Sequence, residues 1–152
     1  MKWYHATNRY NGNEHQFVPS LARMLQKGED KSTPRICVTG NWRHSLRSII
    51  LIKRSQEFFI YSTDQQPVNP IKEREKLLSE KTIRKNQILF QLPKDGFVNK
   101  EHWFLKPTTF ELEGVVTIPK DDYLAMLMGL GFMNEPDINK LSLKPYVEKL
   151  RL

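Results

Sequence analysis

Several short stretches of this chain alternate apolar and polar residues with a period of two, and others repeat with a period near 3.6, which predicts short strands interleaved with a few helices. Residues 2–7 place Trp3, His5 and Thr7 on one face and Tyr4 and Ala6 on the other. Residues 35–39 are short and β-branched. Residues 57–62 run apolar through Phe58, Phe59, Ile60 and Tyr61, as expected of a strand covered on both faces. Residues 87–92 read as a further strand, with a turn at Pro93, Asp95 and Gly96 behind it. Residues 100–106 set Glu101, Trp103 and Leu105 against His102, Phe104 and Lys106, and Pro107 ends that strand. Residues 110–118 form the last strand, where Gly114 marks a bulge or a close approach.

The helical signals lie between these. Ser20 is placed to cap a short helix through Leu21, Ala22, Met24 and Leu25 that Gly28 ends. Gly40 and Asn41 turn the chain into a helix capped by Asn41 or Thr39. There Trp42, Leu46, Ile49, Ile50 and Lys53 follow helical spacing, and Arg43, Arg47 and Arg54 point to solvent. Residues 71–83 read as a polar surface helix or partly ordered excursion, followed by Lys81, Arg84 and Lys85. Pro119 opens another helix, with Asp121 and Asp122 at its positive end, Leu124, Leu127 and Met128 along it, and Met126 and Met128 as core filler. Residues 140–152 include a short basic helix, and residues 8–14, 29–33, 64–70 and 131–139 are loops. About six short strands with a helix between the second and third make the fold class α+β, in a single domain over residues 1–152.

Composition narrows the function classes. With 152 residues, 39% hydrophobic and 27% charged, the chain can bury a core unaided, and no apolar run approaches the roughly 20 residues of a membrane span. The first residues lack a secretory signal and the only cysteine, Cys37, has no internal disulfide partner, so a cytoplasmic, reducing setting is expected. The balance of 24 Lys and Arg against 17 Asp and Glu, a net charge of +7, favours acidic partners. The arginines at 43, 47 and 54 form a modest stripe that reads as a solvated face or as a phosphate contact. Cys37, His5, His15, His44 and His102 never approach the paired spacings of a zinc site, so no metal is expected.

Two residues stand out. Glu101 heads an aromatic strand and shares a face with Trp103, so its carboxylate is capped, paired or chemically employed; pairing with Lys100 or Lys106 is the structural alternative. His5 sits at the end of the first strand, either as a hydrogen-bonded core histidine or in a cleft.

The strings Tyr4-His5-Ala6-Thr7, Ile36-Cys37-Val38-Thr39 before a helix, and Gly96-Phe97 through Glu101-His102-Trp103-Phe104-Leu105-Lys106-Pro107 resemble the small ADP-ribosyltransferase-like family, in its His-Tyr-Glu-type branch, including the compact proteins of phages and prophages. The resemblance covers most of residues 1–127 as an order of elements. It implies an NAD-binding cleft split between two small antiparallel or mixed sheets flanked by helices. His5 matches the histidine that holds a ribose of NAD, Thr7 the polar residue two places on, and Glu101 the glutamate that holds the nicotinamide ribose. Ala6 and Thr39 fall in the matching strings, and Arg9, close to the strand end, is placed to neutralise the pyrophosphate. The departure is Cys37, which stands where the family has the tyrosine that stacks on nicotinamide; Tyr61 or Phe59 is then the substitute stack.

The resemblance implies an NAD-dependent mono-ADP-ribosyltransferase acting on an intracellular macromolecule, protein or nucleic acid. A carboxylate near the 2′-hydroxyl stabilises the oxocarbenium-like charge that develops as nicotinamide leaves, and Glu101 suits that role with His5 positioning the ribose. Glu111 and Glu113 are rivals for the same job. Asn99 stands where arginine-modifying relatives carry a second glutamate, which disfavours an arginine acceptor. Two alternatives remain: a non-catalytic basic binding module on the same fold, as a phage-type inhibitor or nucleic-acid binder, and an RNA 2′-phosphotransferase-like NAD enzyme.

Overall fold

The computed structural model describes residues 1–21, 33–50, 52–69, 101–128 and 137–147. In chain order these form β1 (Trp3–Thr7), β2 (Glu14–Phe17), β3 (Ile36–Val38), α1 (Trp42–Ile50), β4 (Glu57–Thr63), β5 (His102–Phe104), β6 (Thr108–Thr117), α2 (Lys120–Leu127) and a 3-10 turn (Ile138–Lys140). The fold is mixed α+β, with a four-stranded antiparallel sheet ordered β1-β4-β6-β2 and a two-stranded antiparallel ribbon of β3 and β5.

The continuous apolar run at 57–62 becomes β4, an inner strand covered on both faces. On one side Phe58 and Ile60 pack with Ala6, Val116 and Ile118 against Leu46 and Ile50 of α1, Met126 of α2, and Ile138 and Leu141. On the other side Phe59 and Tyr61 join Trp3 and Phe110 against Ile36 and Val38 of β3 and Phe104 of β5. The result is three layers: helices, main sheet, ribbon. Leu46 and Ile50 are fully buried, and each such side chain contributes about 1.5–3 kcal/mol. Asn41 caps α1, its Oδ1 accepting from the Arg43 amide at 2.9 Å.

The ribbon also closes the main sheet. β1 and β2 are the sheet's two edges; β1, and the chain three residues past β2, reach the edge of β3 turned away from β5. Tyr4 and Thr39 exchange backbone bonds of 2.8 and 3.1 Å, and Ser20 and Arg35 exchange bonds of 3.2 and 3.0 Å.

Several expectations change. Residues 14–17 are a strand rather than part of a loop or helix lead-in, because Glu14, His15, Gln16 and Phe17 alternate exposed and half-buried against β6. Ser20 pairs with Arg35 through its backbone, and Leu21 is exposed and not helical; the helix expected beyond it lies outside the described residues, as do the readings for 71–83 and 87–92. Lys53 lies in the turn after α1. Arg43 is half-buried, its guanidinium 4.3 Å from the Trp42 ring centroid and donating to the Leu141 carbonyl at 3.3 Å, whereas Arg47 and Arg54 are exposed. On α2 the buried residue is Met126, while Leu124, Leu127 and Met128 are exposed. Residues 141–147 are extended rather than helical, and Lys144 pairs with Val115.

Gly114 fulfils both of its expected roles. The register of β4 on β6 slips between Ile60 and Tyr61, leaving Glu113 as the extra residue of a bulge. A Cβ on Gly114 would collide with the Lys144 carbonyl oxygen, so only glycine admits residue 144 so closely.

Candidate functional site at the free edge of β3

Residues 35, 37 and 39 turn their backbone groups away from β5. Ser20 satisfies Arg35 and Tyr4 satisfies Thr39 through backbone pairing. Between them the partner is a side chain: His5 Nδ1 lies 2.8 Å from the Cys37 carbonyl oxygen. A carbonyl only accepts, so Nδ1 carries the proton and Nε2 is an acceptor. Burial holds the His5 pKa below 6.5, against the Cys37 carbonyl, which raises it, so the ring is neutral at pH 7. Nε2 has no hydrogen-bond partner among the described residues. The ring packs edge-on to Phe17 at 4.8 Å and lies 6.1 Å from Phe110.

The Cys37 side chain continues the line to Glu101. Its thiol donates to Glu101 Oε1 at 3.1 Å, and the Trp103 indole N–H donates to the same oxygen at 2.7 Å. Arg35 Nε stands 3.7 Å from that oxygen, with the guanidinium carbon 4.6 Å from the Trp103 ring centroid. Glu101 is 8% exposed, Arg35 4% and Trp103 1%. The Cys37 pKa is pushed well above 9.0, chiefly by burial and then by the charge of Glu101, so the thiol stays protonated and remains a donor. His5 and Glu101 are thereby joined through one residue, which gives its carbonyl to the first and its thiol to the second.

The other expected site residues fall around this line. Thr7 ends β1, its Oγ1 accepting from the Arg9 amide at 3.3 Å, and Arg9 is exposed on the loop beyond. The Ala6 methyl lies in the core under α1. Thr39 Oγ1 bonds the Asn41 carbonyl at 2.6 Å and Ser45 Oγ at 2.7 Å, tying β3 to the start of α1. Tyr61 sits opposite His5 on β4 but is fully buried, its hydroxyl donating to the Gly12 carbonyl and accepting from the Asn11 amide, both at 2.8 Å. Burial raises its pKa, with the Asn11 amide opposing. Phe59 is 7% exposed. Neither ring offers a free face, so the substitute stack expected of them has no surface to work with. The half-buried ring beside His5 is Phe17 of β2.

Glu111 and Glu113 lie apart from this edge. Glu113 Oε1 takes Lys2 Nζ and Ser62 Oγ, each at 2.5 Å; burial raises its pKa, but the Lys2 and Ser62 contacts outweigh that and leave it lowered. Glu111 is exposed and, with Lys2, Glu14, Ser62, Asp64 and Thr109, lines an open polar depression of about 270 Å³. Of the two lysines offered as partners for Glu101, Lys100 lies outside the described residues; the cation that stands beside its carboxylate is Arg35, which the sequence did not single out. Among the described residues no helix is long and apolar enough to cross a membrane, and no three His, Cys, Asp or Glu side chains are grouped to hold a metal. No family model, curated protein or solved structure matches the chain.

Proposed function

We propose that the protein is an NAD-dependent mono-ADP-ribosyltransferase on an ADP-ribosyltransferase-like fold, with Glu101 and His5 as its working pair. The observation that supports this reading is the single-residue link between them: Cys37 holds His5 by its carbonyl and Glu101 by its thiol. In the reaction the bond between the ribose C1′ and the nicotinamide nitrogen breaks. Its electron pair leaves with neutral nicotinamide, so no acid is needed, and positive charge develops at C1′. Glu101 stabilises that charge and orients the 2′-hydroxyl. His5, neutral with an acceptor at Nε2, takes a hydrogen bond from a ribose hydroxyl and so fixes the sugar. A nucleophilic oxygen or nitrogen of the acceptor then bonds to C1′ and releases its proton to solvent.

The test is incubation with labelled NAD and cell lysate, following nicotinamide release and label transfer by the wild type, Glu101→Gln and His5→Ala. Turnover lost in Glu101→Gln while that variant keeps its wild-type circular dichroism and cooperative unfolding supports the reading. No turnover and no NAD binding by the wild type sinks it. One observation favours a second reading, a non-catalytic basic binding module: three groups converge on one Glu101 oxygen, an arrangement equally suited to an internal tie between β3 and β5. Ligand binding with steep salt dependence and no response to NAD would select that alternative.

A further inference from the structure

Charge is distributed unevenly over this molecule. Residues 41–56, which comprise α1 and the turn after it, contain Arg43, Arg47, Lys53 and Arg54 and no Asp or Glu. Arg47, Lys53 and Arg54 are exposed and have no ion-pair partner among the described residues. Elsewhere Lys2 is paired with Glu113 and Arg35 with Glu101. Arg43, one helical turn from Arg47, is held in place by the Trp42 ring and the Leu141 carbonyl, neither of which cancels its charge. Its guanidinium is therefore a positive point held in place beside three exposed ones. Asn41 is exposed in the same strip and its side-chain amide can donate to a phosphate oxygen, whereas the Ser48 and Ser55 hydroxyls already donate to the Ser45 and Glu57 carbonyls. Carboxylates gather instead at the depression lined by Glu14, Asp64 and Glu111.

We infer that α1 and the turn after it form a docking strip for a nucleic-acid backbone, with Arg47, Lys53 and Arg54 contacting phosphates and Arg43 as the rigid anchor. Four cations along one helix and its turn suit a chain of phosphates, and nothing in the strip reads bases, so binding is independent of sequence. The inference goes beyond the NAD reading and does not depend on it, because the strip is tested without NAD.

The experiment measures binding of fluorescent mixed-sequence single-stranded RNA, single-stranded DNA and duplex DNA by anisotropy over a range of salt. Arg47→Ala/Arg54→Ala is compared with Lys2→Ala/Lys106→Ala, which removes the same charge away from α1. The expected result is wild-type binding that weakens steeply with salt. The salt slope should fall by about 1.4–1.8 in the α1 pair, from roughly 0.7–0.9 per lost phosphate contact, and stay near wild type in the other pair. Failure of the wild type to bind any of the three at low salt overturns the proposal. So does an equal loss in both double variants, or equally tight binding of polyglutamate.

Discussion

Glu101 and Glu113 are matched in chemistry and opposed in setting. Each carboxylate receives a cation and neutral donors: Arg35, Trp103 and Cys37 for Glu101, Lys2 and Ser62 for Glu113. Glu113 lies on a bulge of β6 where its partner Lys2 is open to water, whereas Glu101 and its arginine are enclosed in the ribbon. Water replaces any partner lost at the first site and none at the second. Contact geometry alone would favour the Glu113 pair, at 2.5 Å against 3.7 Å, and dielectric surroundings reverse that order.

The largest effect should therefore come from Glu101→Ala, which removes the acceptor of an indole N–H and the carboxylate beside a buried arginine. A loss of about 3–5 kcal/mol in urea denaturation is expected, with Glu101→Gln costing clearly less because it keeps an acceptor. Trp103→Phe retains the ring against Arg35 but deletes the donor, at about 1–3 kcal/mol. Its indole resonance, identified by its absence from that variant, should move on Glu101→Gln while those of Trp3 and Trp42 stay in place. An unmoved resonance would break the assigned contact.

Histidine 5 supplies a pH-dependent term. Its folded pKa lies below 6.5, so the unfolded chain takes up a proton first as pH drops. Stability should decline as pH falls through 6.5 and level off below the folded pKa, and His5→Gln should flatten that part of the curve. The smallest effect belongs to the exposed pair: Lys2→Ala should lower stability least and the loss should vanish at high salt. Because the Glu113 pKa is lowered, whatever its contacts contribute is present above 4.5 and lost as pH falls through the folded value. A Lys2→Ala effect as large as Glu101→Ala would erase the distinction between the sites.

Much of this arrangement was legible in the residues. The alternation of Glu101 and Trp103 placed both on one face, and the structure adds the hydrogen bond between them. The apolar run at Phe58–Tyr61 announced a strand covered on both sides. β2 was not legible, because Glu14, His15 and Gln16 lack β-branched residues and the strand exists only through its register on β6. Arg35 was equally hidden, since its link to Glu101 spans two strands of the ribbon and no local spacing encodes it. The exposed Leu124, Leu127 and Met128 show the converse: helical apolar spacing marks a face, but the sheet decides which part of it is covered.

The bond from His5 to the Cys37 carbonyl has a consequence for how copies of this chain behave beside one another. The edge of β3 carries the Cys37 carbonyl in the one-residue gap between the Ser20 and Tyr4 bridges, an acceptor that an extended segment would otherwise seek. The imidazole occupies that acceptor as a neighbouring strand's amide would, but it has no peptide on either side of it to continue a ladder. His5 thus acts as a stopper on strand addition. Removing it should leave the molecule folded at neutral pH yet prone to self-association that grows with concentration.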